Sequence, residues 1–113
     1  MESASGVVVR EAGGGDEVIV AELDGQAVGL LTWFVRPGLF HGGRLGYIDE
    51  LVVREHARRK GVADALLGAV MARFAAAGCV EVSVSTMPDN EPAKALYRKH
   101  GLVDEALFLE RHF

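Results

Sequence analysis

The 113-residue sequence predicts a single α/β domain of the mixed α+β kind, a central and mostly antiparallel sheet with one parallel βαβ crossover. Three observations predict it. Two β-rich runs flank Asp24-Gly25, a dipeptide that suits the positive φ angles of a tight hairpin turn. A strand-like run over residues 45–53 leads into a helical pattern and then into "VEVSVS", the order of a right-handed crossover between parallel strands. Finally, 50% of residues are hydrophobic and 25% charged, which is enough apolar material for one core and too much for a disordered chain.

Residues 7–10 form a short β-branched strand. "EAGGGDE" closes it, because three consecutive glycines do not sit well inside an element. Val18–Leu23 and residues 27–35 pair antiparallel around Asp24-Gly25. "RPGLFHGG" holds a Pro-Gly turn and two further glycines and is expected as a surface loop, where binding residues often sit. "LGYIDELVV" resumes strand character over residues 45–53. Across residues 61–77, Val62, Leu66, Val70 and Phe74 recur at helical spacing, and Gly78 is a natural C-terminal stop. Residues 80–85 then alternate as a strand parallel to 45–53. In "MPDNEPAKALYRKHG", Asp89 or Asn90 caps a helix that tolerates Pro92 in its first turn and ends at Gly101. "LVDEALFLERHF" reads as a turn and a final strand over residues 106–111.

The net charge of -4 gives no overall bias toward nucleic acid or anionic membrane, so neither is an expected partner. Cys79 is the single cysteine, and no Cys/His set has zinc-ligand spacing, so neither an intrachain disulfide nor a metal is expected. No apolar run approaches the ~18 to 20 residues that span a bilayer, and residues 1–10 lack the pattern of a secretory leader. A cytoplasmic, reducing location is the expectation.

The chemistry concentrates in "LVVREHARRKGVADALLGAV", where an apolar run ends, basic side chains crowd one glycine and a helix begins. A helix that opens directly after a strand presents unpaired N–H groups and the positive end of its dipole, which suit an anion. Gly61 lets the backbone approach a ligand closely, and Arg58, Arg59 and Lys60 add charge. The combination is a place for phosphate; the alternative is a solvated basic face. The Gly-Lys-Ser/Thr ending of a Walker turn and the three spaced glycines of a dinucleotide fold are both absent.

"LVVREHARRKGVA" resembles the acyl-CoA-binding motif of the GNAT superfamily of N-acetyltransferases, in which Arg or Gln is followed at fixed spacing by Gly and then Gly or Ala. Arg58, Gly61 and Ala63 occupy those places, and Leu51 and Val53 match the strand before them. A second signature follows in "NEPAKALYRKHG", carried by Asn90, Ala93, Leu96, Tyr97 and Gly101. The resemblance runs from about Tyr47 onward and implies one GNAT-like acyl-CoA-binding domain over residues 1–113. It implies acetyl-CoA as cosubstrate, no metal, and direct transfer of the acetyl group to a primary amine of a small molecule or peptide. The N–H groups of Arg59, Lys60, Gly61, Val62 and Ala63 would cradle the pyrophosphate. The pantetheine arm would lie between the two parallel strands, bonded by backbone groups of Val52 and Val53, with Asn90 and Ala93 as further contacts. Tyr97 would be the general acid for the departing thiolate, protonated at neutral pH given a reference pKa near ~10. Its alternative is a packed core aromatic. Glu50 is the candidate base, acting through water; its alternatives are a solvated carboxylate or a partner for Arg10 or Arg44. Asp49, expected on the opposite face by strand alternation, is the weaker candidate.

Members of the superfamily carry one strand and two helices before the first hairpin, and those helices form much of the acceptor site. Here the usual N-terminal helices are expected to be missing. The acceptor wall is then expected from the loop at residues 36–46, with His41 and Phe40 in it, from a second copy in a homodimer, or from nothing at all. Arg59 also stands where many members have glycine. Two functional readings follow, an active N-acetyltransferase and a reduced GNAT-fold module that binds CoA or a protein partner without turnover.

Overall fold

The computed structural model describes residues 6–12, 17–39 and 42–113. Its elements are β1 (Val8–Glu11), β2 (Val18–Leu23), β3 (Gln26–Gly38), β4 (Gly43–Val53), a 3-10 turn (Glu55–Ala57), α1 (Val62–Ala76), β5 (Cys79–Val84) and α2 (Glu91–Lys99). The strands form one sheet in sequence order, antiparallel from β1 to β4 and parallel between β4 and β5. Asp24 at φ 53 and Gly25 at φ 79 supply the left-handed pair that the β2–β3 hairpin needs. β1 pairs directly with β2, from Val8↔Glu22 to Glu11↔Ile19, so the connection at residues 12–17 has no length for two helices.

The core lies between the sheet and α1. Val62, Leu66, Leu67, Val70 and Phe74 of the helix are buried together with Val9, Ile19, Leu31 and Ile48 of the strands, each such side chain contributing roughly 1.5–3 kcal/mol relative to exposure. Close approach depends on Gly46, where a Cβ would stand 2.5 Å from the Phe74 ring. Trp33 meets the same ring edge to face, with centroids 5.4 Å apart. α2 is short and has no fully buried residue; Leu96 and Tyr97 pack half-buried against the core. Its C-terminus is fastened to the first turn of α1, where Asp64 meets His100 at 2.7 Å and Lys99 at 3.1 Å.

Three expectations are corrected. The loop expected at residues 36–43 is largely strand: β3 and β4 continue their ladder through Pro37↔Arg44 and Gly38↔Gly43. Pro37 is tolerated because β2 pairs only as far as Thr32, so this part of β3 has a strand on one side and needs no second set of N–H donors. The final strand expected over residues 106–111 does not form within the chain. Residues 102–113 have no regular structure, since an alternating pattern becomes a strand only where an edge accepts its hydrogen bonds. Strict alternation across Asp49 and Glu50 also fails, because Thr32 pairs with Glu50 and Trp33 with Ile48, leaving Asp49 in a bulge and both carboxylates exposed. Phe40 and His41 lie outside the described residues.

Among the described residues no helix is long and apolar enough to cross a membrane, and no group of three or more His, Cys, Asp or Glu side chains is placed to hold a metal ion.

Candidate functional site

β4 and β5 stay paired from Arg44↔Cys79 to Ile48↔Val84 and then part. β4 runs on through Asp49, Glu50, Leu51, Val52 and Val53 with no β5 partner. The unpaired edge offers backbone donors and acceptors to an extended ligand. Leu51 and Val53 are half-buried on the core side, and Val52 is 54% exposed on the other.

At the end of this edge the chain makes a tight turn into α1. Arg59 at φ 64 and Gly61 at φ 80 both take the left-handed conformation. For Arg59 that conformation costs on the order of 1–2 kcal/mol, a strain of the kind that collects at functional sites; it also explains why glycine suits this position. Arg58 is turned back to the sheet, its Nε donating to the Val53 carbonyl at 3.4 Å, and Arg54 Nε donates to the Ala27 carbonyl at 3.1 Å. These two cations fasten the turn, while Arg59 and Lys60 make no ion pair among the described residues. The first backbone bond of the helix is Ala65 N–H to the Gly61 carbonyl at 3.0 Å. Ahead of it, the N–H groups of Arg59, Lys60, Gly61, Val62 and Ala63 have no partner among the described residues. Successive free amides at a helix N-terminus form a nest for an anion with several oxygens.

Asn90 Oδ1 accepts from Ala93 N–H at 3.2 Å, so this pair starts α2 as a cap. Tyr97 is half-buried, its hydroxyl has no hydrogen-bond partner among the described residues, and burial raises its pKa above the ordinary 10.0. Glu50 is exposed and accepts a hydrogen bond from the Thr32 hydroxyl at 3.3 Å. Arg10 is engaged elsewhere, by Glu22 at 3.1 Å. The register puts Glu50, Val52 and Tyr47 on the sheet face away from α1.

That face also carries a groove of about 380 Å³ lined by Phe34, Arg36, Leu45, Gly46, Tyr47, Glu81 and Ser83. Tyr47 has its hydroxyl 3.3 Å from that of Ser85 and its ring 5.1 Å from Phe34. Sequence reasoning passed over Tyr47 and Ser83. The signal was present in the alternation of "LGYIDELVV" and "VEVSVS", which turns Tyr47 and Ser83 the same way once the two strands are aligned in parallel.

The model of the Acetyltransferase (GNAT) family matches residues 5–102. No match emerged among curated protein sequences. Among solved structures, a transcriptional regulator from Bacillus halodurans C-125 superposes with a TM-score of 0.84 at 20% identity, over 95% of this chain and 99% of that one. Glucosamine-6-phosphate N-acetyltransferase from Arabidopsis thaliana gives 0.78 at 21% identity, over 88% and 69%. An aminoglycoside acetyltransferase from an uncultured soil metagenomic sample gives 0.73 at 31% identity, over 85% of this chain and 64% of that one. The family match spans both signatures and the whole sheet, and the chain belongs to the acetyltransferase (GNAT) family.

Proposed function

We propose that the chain is an acetyl-CoA-dependent N-acetyltransferase that acetylates a primary amine of a small molecule or peptide. The observation that carries the reading is the set of free N–H groups from Arg59 to Ala63, opening beside the unpaired edge of β4. The two features fit the two ends of one elongated cosubstrate, a pyrophosphate and an amide-bearing arm. Acetyl-CoA, when bound, supplies an activated acyl carbon. The turn amides, with Arg59 and Lys60, hold the phosphates, and the Leu51, Val52 and Val53 backbone orients the arm. An ammonium has no lone pair, so Glu50, oriented by the hydrogen bond it accepts from the Thr32 hydroxyl, takes the proton through water. Tyr97 keeps its own proton at neutral pH, donates it as the thiolate leaves, and regains one from the acylated nitrogen, which sheds its second proton as the amide forms.

Structural relatives named as acetyltransferases of aminoglycosides and of glucosamine-6-phosphate support a small amino compound as acceptor. The second reading is a CoA-binding module without turnover. It is favoured by the direct β1–β2 pairing, which leaves the sheet face around Phe34 and Val52 39% and 54% exposed. The two separate in one assay, in which purified protein is incubated with acetyl-CoA and a panel of amino sugars, polyamines and peptides, and free thiol is followed. Amine-dependent thiol release is the expected result. Saturable acetyl-CoA binding with no release for any amine would establish the module instead.

A further inference from the structure

α2 carries Tyr97, yet none of its nine residues is fully buried, and only Leu96 and Tyr97 lean half-buried on the core. A helix this short is marginal by itself, so its angle against the sheet depends on the contacts made at its ends. At the N-terminal end, the Asn90 cap and the Lys94 Nζ donation to the Pro88 carbonyl at 2.9 Å stay within the segment. The link to α1 is made at the other end, where Asp64 Oδ1 lies 2.7 Å from His100 Nε2 and 3.1 Å from Lys99 Nζ.

The two partners of Asp64 are unequal. The Lys99 side chain is 66% exposed, and an ion pair in that setting contributes little. The His100 side chain is 17% exposed and makes the shorter contact. Its hydrogen bond is the first cause of the lowered Asp64 pKa. An ionised carboxylate only accepts, so the His100 Nε2–H donates.

The position of this clasp gives it a further role. Tyr97 stands three residues before His100, on the same side of the helix, and its carbonyl accepts from the His100 and Leu102 N–H groups, both at 3.0 Å. The Tyr97 hydroxyl has no partner of its own among the described residues, so the place of the phenol follows from the place of α2. Asp64 follows Ala63 directly in the first turn of α1. The clasp therefore ties the helix of Tyr97 to the same turn whose free amides suit phosphate.

We propose that His100 and Asp64 are positioning residues, whose hydrogen bond sets α2 against the phosphate turn and so places the Tyr97 hydroxyl for proton donation. What Tyr97 does there rests on the acyl-transfer reading. A proton donor must stand within hydrogen-bond reach of the leaving sulfur, and a displacement of about 1 Å costs on the order of 100-fold in rate. In this role His100 acts through Tyr97.

The test joins a spectrum to a kinetic cycle. The chain has two tyrosines, Tyr47 and Tyr97, so with isotopic labels on the tyrosine rings the nuclear magnetic resonance signal missing from Tyr97→Phe is that of Tyr97. His100→Ala is expected to move this signal and to leave that of Tyr47 in place. His100→Gln, whose side-chain amide can donate to the same carboxylate, is expected to restore it, and Asp64→Ala to repeat the effect of His100→Ala. With acetyl-CoA and an accepted amine, His100→Ala is expected to lower kcat about 10- to 100-fold with little change in the KM for acetyl-CoA, and His100→Gln to recover most of the loss. Added to Tyr97→Phe, His100→Ala is expected to cost nothing further. Loss of general packing would instead move both ring signals and lower the rate equally in either background, and that result overturns the proposal. An unmoved Tyr97 signal in His100→Ala overturns it as well, with or without turnover. If no amine is acetylated by any of the proteins while the Tyr97 signal moves in His100→Ala and returns in His100→Gln, the acetyltransferase reading fails and the placement of Tyr97 by the clasp stands.

Discussion

At the residue scale the account rests on protons and on one turn. Burial raises the Tyr97 pKa, so the protonated form, the one that donates, persists to higher pH than in an exposed tyrosine. Catalysis through Tyr97 therefore fails only as pH climbs past the raised value. The kcat profile is expected to stay level up to about pH 10, and Tyr97→Phe to lower kcat about 100-fold with little change in the KM for acetyl-CoA. An unaltered rate would reassign Tyr97 to packing. Residues whose roles follow from chain neighbours were readable in the sequence. Gly61 and Asn90 stand where a left-handed turn and a helix cap are needed, and both are found there. The setting of Glu50 was not readable, because it depends on a bulge opposite Trp33 and on a hydroxyl from another strand.

At the element scale, α1 and α2 are held by different forces. α1 is fixed by apolar contact across Gly46, so Gly46→Ala forces a Cβ to within 2.5 Å of Phe74. The expected cost is about 1–3 kcal/mol, read as a melting temperature lowered by several degrees. α2 is held partly by charge. His100 and Lys99 both lower the Asp64 pKa, so this contribution is complete above the ordinary carboxylate pKa and is lost as pH falls through the lowered value. Asp64 is 41% exposed, which screens the pairs to roughly 0.5–1 kcal/mol. Asp64→Asn is expected to speed amide exchange in α2 at neutral pH and to have little further effect in strong acid; equal exchange in both proteins at neutral pH would contradict the anchoring role. The same division explains which elements were legible. The β2–β3 hairpin, α1 and α2 are bounded by local turn and cap chemistry, and the sequence places them to within a residue or two. The β3–β4 extension and residues 106–111 depend on whether a distant edge is available, which no local pattern records.

At the scale of the whole molecule, a five-stranded sheet and one crossover helix bring together an open β4 edge and a nest of amides at the mouth of α1. The acidic balance of the chain, -4 overall, makes the cationic turn a local exception, so acetyl-CoA affinity is expected to fall as salt screens Arg59 and Lys60. An affinity unchanged between low and high salt would mean that the phosphates are held by neutral amides alone. The most direct measurement of the central claim is calorimetric titration of acetyl-CoA into the unmodified chain and into a folded Gly61→Glu variant, which sets a bulky anionic side chain in the turn. The account predicts saturable binding by the unmodified chain and at least a tenfold loss, about 1.4 kcal/mol, in the variant. No binding by the unmodified chain, or equal binding by both, would contradict it.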